Sequence, residues 1–596
     1  MKKHFYLIVT SFLVSSIAFG QMLIEDLQQL NDLKKVPLEK MYVHHGSSVL
    51  FPGEYLVYSV YCINAYSYNL SEVSKIGYVE LVSEKGELVF SHKLRLEKGR
   101  AQGDFFIPVE IPSGNYKLLG YTQWMKNGGV KQFFQDDIVI INPYQSDQTV
   151  FKPKVEDLSA TPIESTPVTD AQKSALEGKD IIQLLTDTKT YEKRSKVSLV
   201  PKNYKGALGY GSYSIVVRKK EELRNPDHYS AHGFSKQQLA EKFIPQRVND
   251  SIYLPEQLGE LFWGNVSNQV TGEGVMGKTV TISIPGTDFQ LKYATTDVDG
   301  NFYTYFNREY DANMTIVQVL DDEETEYAIS IKEQSPLDYS ELKFNSYKLS
   351  PEMEKAIVAR SVHNQIENAY FTFKPDTILS VRDNDPFIGG NPEVYLLDDY
   401  TRFPTLEETL VEVVDNVWVR NVDGKQTLWV REYVEPTKKD VFINLPPLVF
   451  VDGIFIPDHT AIVDLNAYTI KTIKTVRDQF VLGGKEYLGM VSIETSKGDY
   501  IDLWQQKANS LKKELFKPLP KKNYFNQNYA LDNGLNKARI PDFRSQLFWM
   551  PELNIDMNEK NFEFYTSDVP GEYEIVLEGF TTYGKPISVR ETITVE

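Results

Sequence analysis

The residue types able to do chemistry are few and scattered in this 596-residue chain. His228 and His232 stand four apart with Asp227 beside them, the spacing at which a helix offers two imidazoles to one zinc ion. Asn225-Pro226 and Gly233 break a helix there, so the group reads as a solvated loop. His44-His45 are adjacent, and in a strand adjacent side chains point to opposite faces, which keeps them from sharing an ion. Asp297-x-Asp299-Gly300-Asn301 has the opening of a calcium loop but lacks the closing Glu, and between strand-like runs it reads as a hairpin turn. Asp321-Asp322-Glu323-Glu324 reads as a turn on a solvated face. Cys62, the sole cysteine, lies between Tyr61 and Ile63 in a strand-like run and reads as a buried, inert thiol. The Gly-x-Ser-x-Gly, His-Glu-x-x-His and P-loop patterns do not occur. No catalytic, cofactor-binding or metal-ligating residue is therefore assigned, and the chain reads as no enzyme.

The elements that would hold such residues are mostly strands. Aromatics make up 12% of the chain, led by 36 Tyr and 32 Phe, a composition that suits pleated sheets. Trp124, Trp263, Trp418, Trp429, Trp504 and Trp549 fall in separate segments, and most read as core anchors. A net charge of −18 argues against nucleic acid, because phosphate contacts need clustered Lys and Arg. Lys2-Lys3-His4, the apolar Phe5–Ile17 and Ala18-Phe19-Gly20 have the three parts of a signal peptide over 1–20. No later run reaches about 18 apolar residues, so no transmembrane segment of its own is expected. No cysteine near the cleavage point suggests a lipid anchor. An exported protein with one thiol has no disulfide framework, so stability must come from its cores.

Length and patterning divide the chain into several units. Apolar spacing of three and four at Leu23, Leu27, Leu30 and Leu33 predicts an N-terminal helix within 21–40. Period-two runs from Met41 predict an Ig-like β-sandwich over 41–145. A Thr/Ser/Pro-rich linker follows at 146–180, then a second β-sandwich with a polar insertion over 181–253, and a third over 254–335. Residues 336–395 hold a helix, with Met353, Ile357, Val358, Val362, Ile366 and Ala369 on one stripe, and a linker. Residues 396–500 read as an α+β unit whose helix opens at Thr405 with Glu408 at capping-box spacing. A linker at 501–540 and a C-terminal β module at 541–596 complete the string.

Three family resemblances attach to these units. Pro112-Ser113-Gly114-Asn115-Tyr116 and Pro570-Gly571-Glu572-Tyr573 each lead into a Tyr/aliphatic strand, and with Phe105–Val109 they resemble the macroglobulin-type domains of the α2-macroglobulin superfamily. That superfamily includes thioester protease traps, but the Cys-Gly-Glu-Gln tetrapeptide is absent, so no covalent trap is implied. Leu254-Pro255-Glu256, Val280–Ile284 and Thr295–Phe302 resemble a carboxypeptidase-regulatory-like sandwich. Leu396–Thr405, Val451-Asp452-Gly453, Ile470, Ile473, Val476, Gly483-Gly484 and Gly489–Thr495 resemble the plug domain of TonB-dependent outer-membrane receptors. Within that resemblance Asp452 is a structural turn residue rather than a catalytic carboxylate. Only 97 residues follow Asp499, where a 22-stranded barrel needs roughly 200, so a plug-like unit without its own β-barrel is expected.

The expected architecture is mainly β: a multi-domain string of Ig-like or macroglobulin-like β-sandwiches plus one α+β plug-like domain. The expected role is non-enzymatic binding or scaffolding in the periplasm or at the outer membrane, with the cell surface also open. Sandwich edge strands accept partner strands, and the plug-like resemblance implies that the partner is an outer-membrane barrel, a receptor or an assembly or secretion complex. Two alternatives stay open: a surface or periplasmic binding protein for nutrient uptake, and a carbohydrate-active enzyme with β-sandwich accessory domains. The enzyme reading requires carboxylates roughly 5–9 Å apart in a cleft.

Overall fold

The computed structural model describes residues 21–23, 27–151, 178–220, 223, 229–237, 251–320, 326–333, 336–379, 385–422, 424–432, 445–506, 508–530 and 540–596. The leader at 1–20, Asp227 and His228, the acidic run 321–324 and most of the linker at 146–180 lie outside them. The described fold is mainly β, built from ten sheets.

In the first sandwich, Glu39–His45, Tyr55–Asn64 and Arg100–Phe106 form one sheet. Val49–Leu50, Phe134–Ile140, Gly114–Tyr121, Ile76–Ser83 and Leu88–Arg95, in that lateral order, form the other. A two-layer sandwich ordinarily wets the outer face of each sheet, yet Tyr55–Asn64 is buried from Leu56 through Ile63. Its second face is covered by another sandwich. Tyr61 Oη donates to Ser214 Oγ at 2.9 Å, and Ser59 Oγ donates to the Pro551 carbonyl at 2.8 Å. Cys62 is fully buried in this strand, and burial beside Glu39 pushes its thiol well above the usual range.

The covering sandwich is split in sequence. Ile182–Thr186, Lys196–Asn203 and Phe562–Tyr565 form one sheet. Thr190–Tyr191, Pro586–Val595, Gly571–Thr581, Gly211–Lys219 and Gln546–Ile555 form the other. Gly211–Lys219 lies between two C-terminal strands, in register Gly211 with Ile555 on one side and Gly211 with Thr581 on the other. The expected separation of a second sandwich at 181–253 from a C-terminal module at 541–596 is thus corrected: their strands share one core. Each stretch contributes strands to both sheets, so neither contains a whole layer.

Two boundaries change for a similar reason. Ser510–Glu514, inside the expected linker 501–540, pairs with Met314–Leu320 and completes a four-stranded sheet of the third sandwich. Gln21–Leu23, expected to be helical, pairs with Ser251–Tyr253 as a strand, and among the described residues the N-terminal helix spans Leu27–Leu33. The predicted helix near 352–371 forms at Glu354–Ala369, but Val358 and Val362 on its stripe are exposed. It docks through Met353 and Ile357 of that stripe, which pack on the cluster around Val49 and Phe51, and through Arg360, whose guanidinium grips Glu54 at 2.7 and 2.8 Å.

The repeated turn-then-tyrosine unit has one geometry in both places. Tyr116 Oη donates to the Pro112 carbonyl at 2.7 Å, and Tyr573 Oη donates to the Val569 carbonyl at 2.8 Å. Tyr213 makes a third such corner with the Gly209 carbonyl at 3.0 Å. It follows Gly209-Tyr210-Gly211 rather than a proline turn, which hid it from the repeat. Such corners pin the chain where it enters a sandwich strand.

Beyond the third sandwich, a five-stranded sheet runs Glu393–Leu396, Ile470–Leu482, Lys485–Thr495, Leu448–Val451 and Ile454–Phe455. The helix Leu406–Val413 packs on it, started by Thr405, whose side chain accepts the Glu408 N–H.

Candidate binding cleft

The residues singled out from sequence are not brought together. His44 Nδ1 meets Ser214 Oγ at 2.6 Å, while His45 Nε2 meets Asp136 Oδ2 at 3.0 Å on the opposite face. The His44–Ser214 contact pairs a base with a hydroxyl, but both side chains are sealed between two sandwiches and no substrate reaches them. Asp297 accepts the N–H groups of Asp299 (3.0 Å) and Asn301 (2.8 Å), closing the hairpin before Asn301–Phe306. Asp452 at φ +47° and Gly453 at φ +82° form the two-residue turn between Leu448–Val451 and Ile454–Phe455. The Asp452 carboxylate accepts the Thr495 N–H (2.7 Å), the Thr495 hydroxyl (2.6 Å) and the Tyr500 N–H (3.1 Å). His232 lies on the short helix Ala231–Gln237, and its candidate partners Asp227 and His228 are outside the described residues. No group of three or more His, Cys, Asp or Glu able to hold a metal occurs among the described residues. Of the six tryptophans, Trp418 and Trp429 do meet, as cross-strand partners on a hairpin, with the Arg420 guanidinium over both indoles.

The most distinctive opening lies where the third sandwich meets the five-stranded sheet. The two are locked by the Asp452-Gly453 turn: the Gly286 N–H donates to the Asp452 carbonyl at 3.1 Å, and a Cβ on Gly453 would run into Phe289. Beside this contact sits a cavity of about 190 Å³, floored by Phe289, Leu448, Phe450 and Met490. It is continuous through Leu291, Lys292 and Asn307 with an open groove of about 430 Å³ that reaches Tyr293, Thr304 and Tyr305.

The walls are strand edges. Consecutive residues of a strand point to alternate faces, so a cavity touching several in a row runs along the edge. Gln290–Leu291–Lys292 and Phe480–Val481–Leu482 both line the smaller cavity in this way. Among the described residues, Gln290–Thr295 is paired only with Thr279–Ile284, and Asn301–Phe306 only with Glu260–Asn268. Beyond Thr475, Ile470–Leu482 has Lys485–Thr495 on one side and no second strand among the described residues. Three open edges therefore converge near Lys292. Val481 is 71% exposed and Tyr303, on the outer face of Asn301–Phe306, is 67% exposed.

Two cations stand at the mouth. Lys292 Nζ donates to Asn307 Oδ1 at 2.7 Å, and Arg308 donates to the Asp385 carbonyl at 3.3 Å. Neither has a carboxylate within ion-pair distance among the described residues, although the chain as a whole carries −18. Burial, reinforced by the Arg308 charge, lowers the Lys292 pKa from its ordinary value. A second cleft of about 220 Å³ makes the contrast: its Arg360 is held by Glu54 and its Arg544 by Asp542. Sequence reasoning missed the Lys292 cleft. The usable signal was the outward-facing Tyr293, Tyr303 and Tyr305, aromatic residues on strand faces that nothing in this chain was bound to cover.

No family model matches the chain, and no curated protein matches it. Among solved structures, the native conformation of Escherichia coli α2-macroglobulin is similar at 10% identity and a TM-score of 0.23, over 96% of this chain and 41% of that one. Salmonella α2-macroglobulin reacted with methylamine gives 10% identity and 0.22, over 96% and 40%. The trypsin-activated Escherichia coli protein gives 10% and 0.22, over 96% and 43%. This chain spans about two-fifths of the length of each. At these scores the likeness fixes neither the arrangement of the domains nor a function.

Proposed function

We propose that this chain is a non-enzymatic binding component of a Gram-negative envelope, exported to the periplasm or the outer membrane, and that it works by holding a partner protein there. The partner class is an outer-membrane barrel, a receptor or an assembly complex. The observation that carries this reading is the convergence, among the described residues, of three strand edges with no further strand beside them on an apolar cleft whose Lys292 and Arg308 each donate to a neutral oxygen. An open edge presents unpaired N–H and C=O groups, and adding a partner strand satisfies them. The plug-like resemblance of 396–500 and the carboxypeptidase-regulatory-like resemblance of 254–335 support an outer-membrane setting, and no helix among the described residues is long and apolar enough to cross a membrane.

A photo-cross-linking amino acid placed at Val481 or Tyr303 in intact envelopes tests it, with Leu208 on the split sandwich as the control position. Adducts to an outer-membrane protein from the first two positions and not the third are expected. Recovery of the protein only as an uncross-linked species in the soluble fraction would sink the reading.

A further inference from the structure

From the cleft's geometry we infer that its occupant is the C-terminal end of an extended partner segment, with the last side chain, aromatic or large aliphatic, in the cavity beside Phe450 and the terminal carboxylate between Lys292 and Arg308. This deepens the proposed function and rests on it.

Size selects a side chain over a whole small molecule. Pockets for drug-sized ligands run to about 300–1,000 Å³, whereas a cavity of about 150 Å³ accepts one benzene ring. The deeper part of the opening is about 190 Å³, and its floor of Phe289, Phe450 and Met490 is apolar and nearly fully buried. An aromatic ring fills it.

Shape selects a chain. From the cavity the opening continues along Leu291–Lys292–Tyr293, the outer edge of Gln290–Thr295. A segment laid there would pair with backbone groups that bond to no strand among the described residues, and its alternate side chains would meet Tyr293 and Tyr305.

Charge selects the terminus. Lys292 lies within Gln290–Thr295 and Arg308 just past Asn301–Phe306, yet both face one opening, and among the described residues each is satisfied by a neutral oxygen: the Asn307 side chain for Lys292, the Asp385 carbonyl for Arg308. Asp385 also lines the cavity, but its carboxylate accepts the N–H groups of Phe387 and Gly389 in its own turn. Two cations this close disfavour each other, and a carboxylate between them removes that repulsion. The backbone of a mid-chain segment carries no charge at this point, while that of a C-terminus does.

The probes are the peptide Ala-Thr-Val-Thr-Val-Thr-Val-Phe with a free carboxylate, the same peptide amidated, and 3-phenylpropionate, each titrated against the full chain. The free acid should bind about tenfold more tightly than the amide, since a charge-assisted bond of this kind is worth about one decade. Arg308→Ala and Lys292→Gln should each weaken the acid by about tenfold and leave the amide unchanged, with thermal melts confirming that both variants fold. Hydrogen exchange should slow along 290–295 on peptide binding. Equal affinity for acid and amide, protection confined to another face, or no binding of either peptide at millimolar concentration overturns the inference. Competition by 3-phenylpropionate at the peptide's own concentration also overturns it, because a small acid would then be sufficient. If cross-links at Val481 identify an outer-membrane partner and the peptides still fail, the terminus is wrong and the partner-binding reading survives.

Discussion

Glu256 is a single residue on which the stability of the whole assembly becomes pH-dependent. It is buried where the first and third sandwiches meet, accepting Tyr78 Oη at 2.9 Å and the Leu261 N–H at 3.1 Å. Burial pushes its pKa up to about 7, against the opposing pull of the Leu261 N–H, Lys93 and Tyr78, with Glu260 adding to the rise. A carboxyl raised in the folded state binds its proton more tightly there than when unfolded. Its contribution is therefore complete below about pH 4.5 and is lost as pH rises through about 7, for about 3 kcal/mol in all. His92 and His459, both lowered to about 4 by burial, act in the opposite direction, since their neutral forms stabilise the fold less as pH falls below the usual histidine range. Comparing the wild type with Glu256→Gln isolates the carboxyl. Urea unfolding should show the wild type losing stability relative to the variant between pH 5 and 7.5, and parallel curves would contradict the assignment. Arg360 gives a second test at this scale. Its removal takes the guanidinium from the Glu54 carboxylate and leaves it the Asn364 amide and the Phe51 N–H, and both side chains are only 11% exposed, so Arg360→Ala should cost about 3 kcal/mol by the same urea measurement.

At the scale of elements, the tyrosine corners and the Asp452-Gly453 turn do the positioning. Tyr573→Phe keeps the ring and removes the bond to the Val569 carbonyl together with the contact to the Ser567 hydroxyl, so a loss of about 1–2 kcal/mol is expected, and Tyr116→Phe, which gives up the Pro112 carbonyl, should cost about 1 kcal/mol in the first sandwich. A chemical denaturation series reads both; an unchanged midpoint for either would mean that the corner holds nothing. Gly453→Ala is harsher, because φ +82° penalises any side chain and Phe289 occupies the space. The element types were legible in the sequence because their signals are local: the Thr405 cap with Glu408, the Asp-Gly turn, and the Pro/Gly turn ahead of tyrosine all act within a few residues. The two-sided burial of Tyr55–Asn64 was not legible. An alternating strand with polar Ser59 reads as half solvated, and only the Pro551 carbonyl of a distant strand explains why Ser59 is buried. The cleft was hidden for the same reason, since Lys292 and Val481 are brought together by docking of two units and not by spacing.

The architecture of the whole molecule follows from one long-range pairing. Gly211–Lys219 waits for Gln546–Ile555 and Gly571–Thr581, with the third sandwich and the five-stranded sheet threaded between. Closing that intervening chain adds only a logarithmic entropy cost, so the arrangement is thermodynamically permissible. Its kinetic cost is larger, because native contacts of such sequence separation form late. The split also ties the first sandwich to the C-terminus. Tyr42 packs against Phe580, and the buried Glu578 carboxylate accepts the Ala231 N–H (2.8 Å) and the Ser588 hydroxyl (2.6 Å) and lies 3.4 Å from Tyr42 Oη. Removing 541–596 would thus do more than trim a module. It would strip both neighbours from Gly211–Lys219, expose Tyr213, Ile215 and Val217, and uncover the outer face of Tyr55–Asn64. A chain ending at 540 should accordingly be aggregation-prone, and supplying 541–596 as a separate polypeptide should restore a soluble complex that co-elutes on size exclusion. A soluble truncated chain with an unchanged melting transition would show that 182–219 can close a core alone, and the single-sandwich account of the two stretches would then fail.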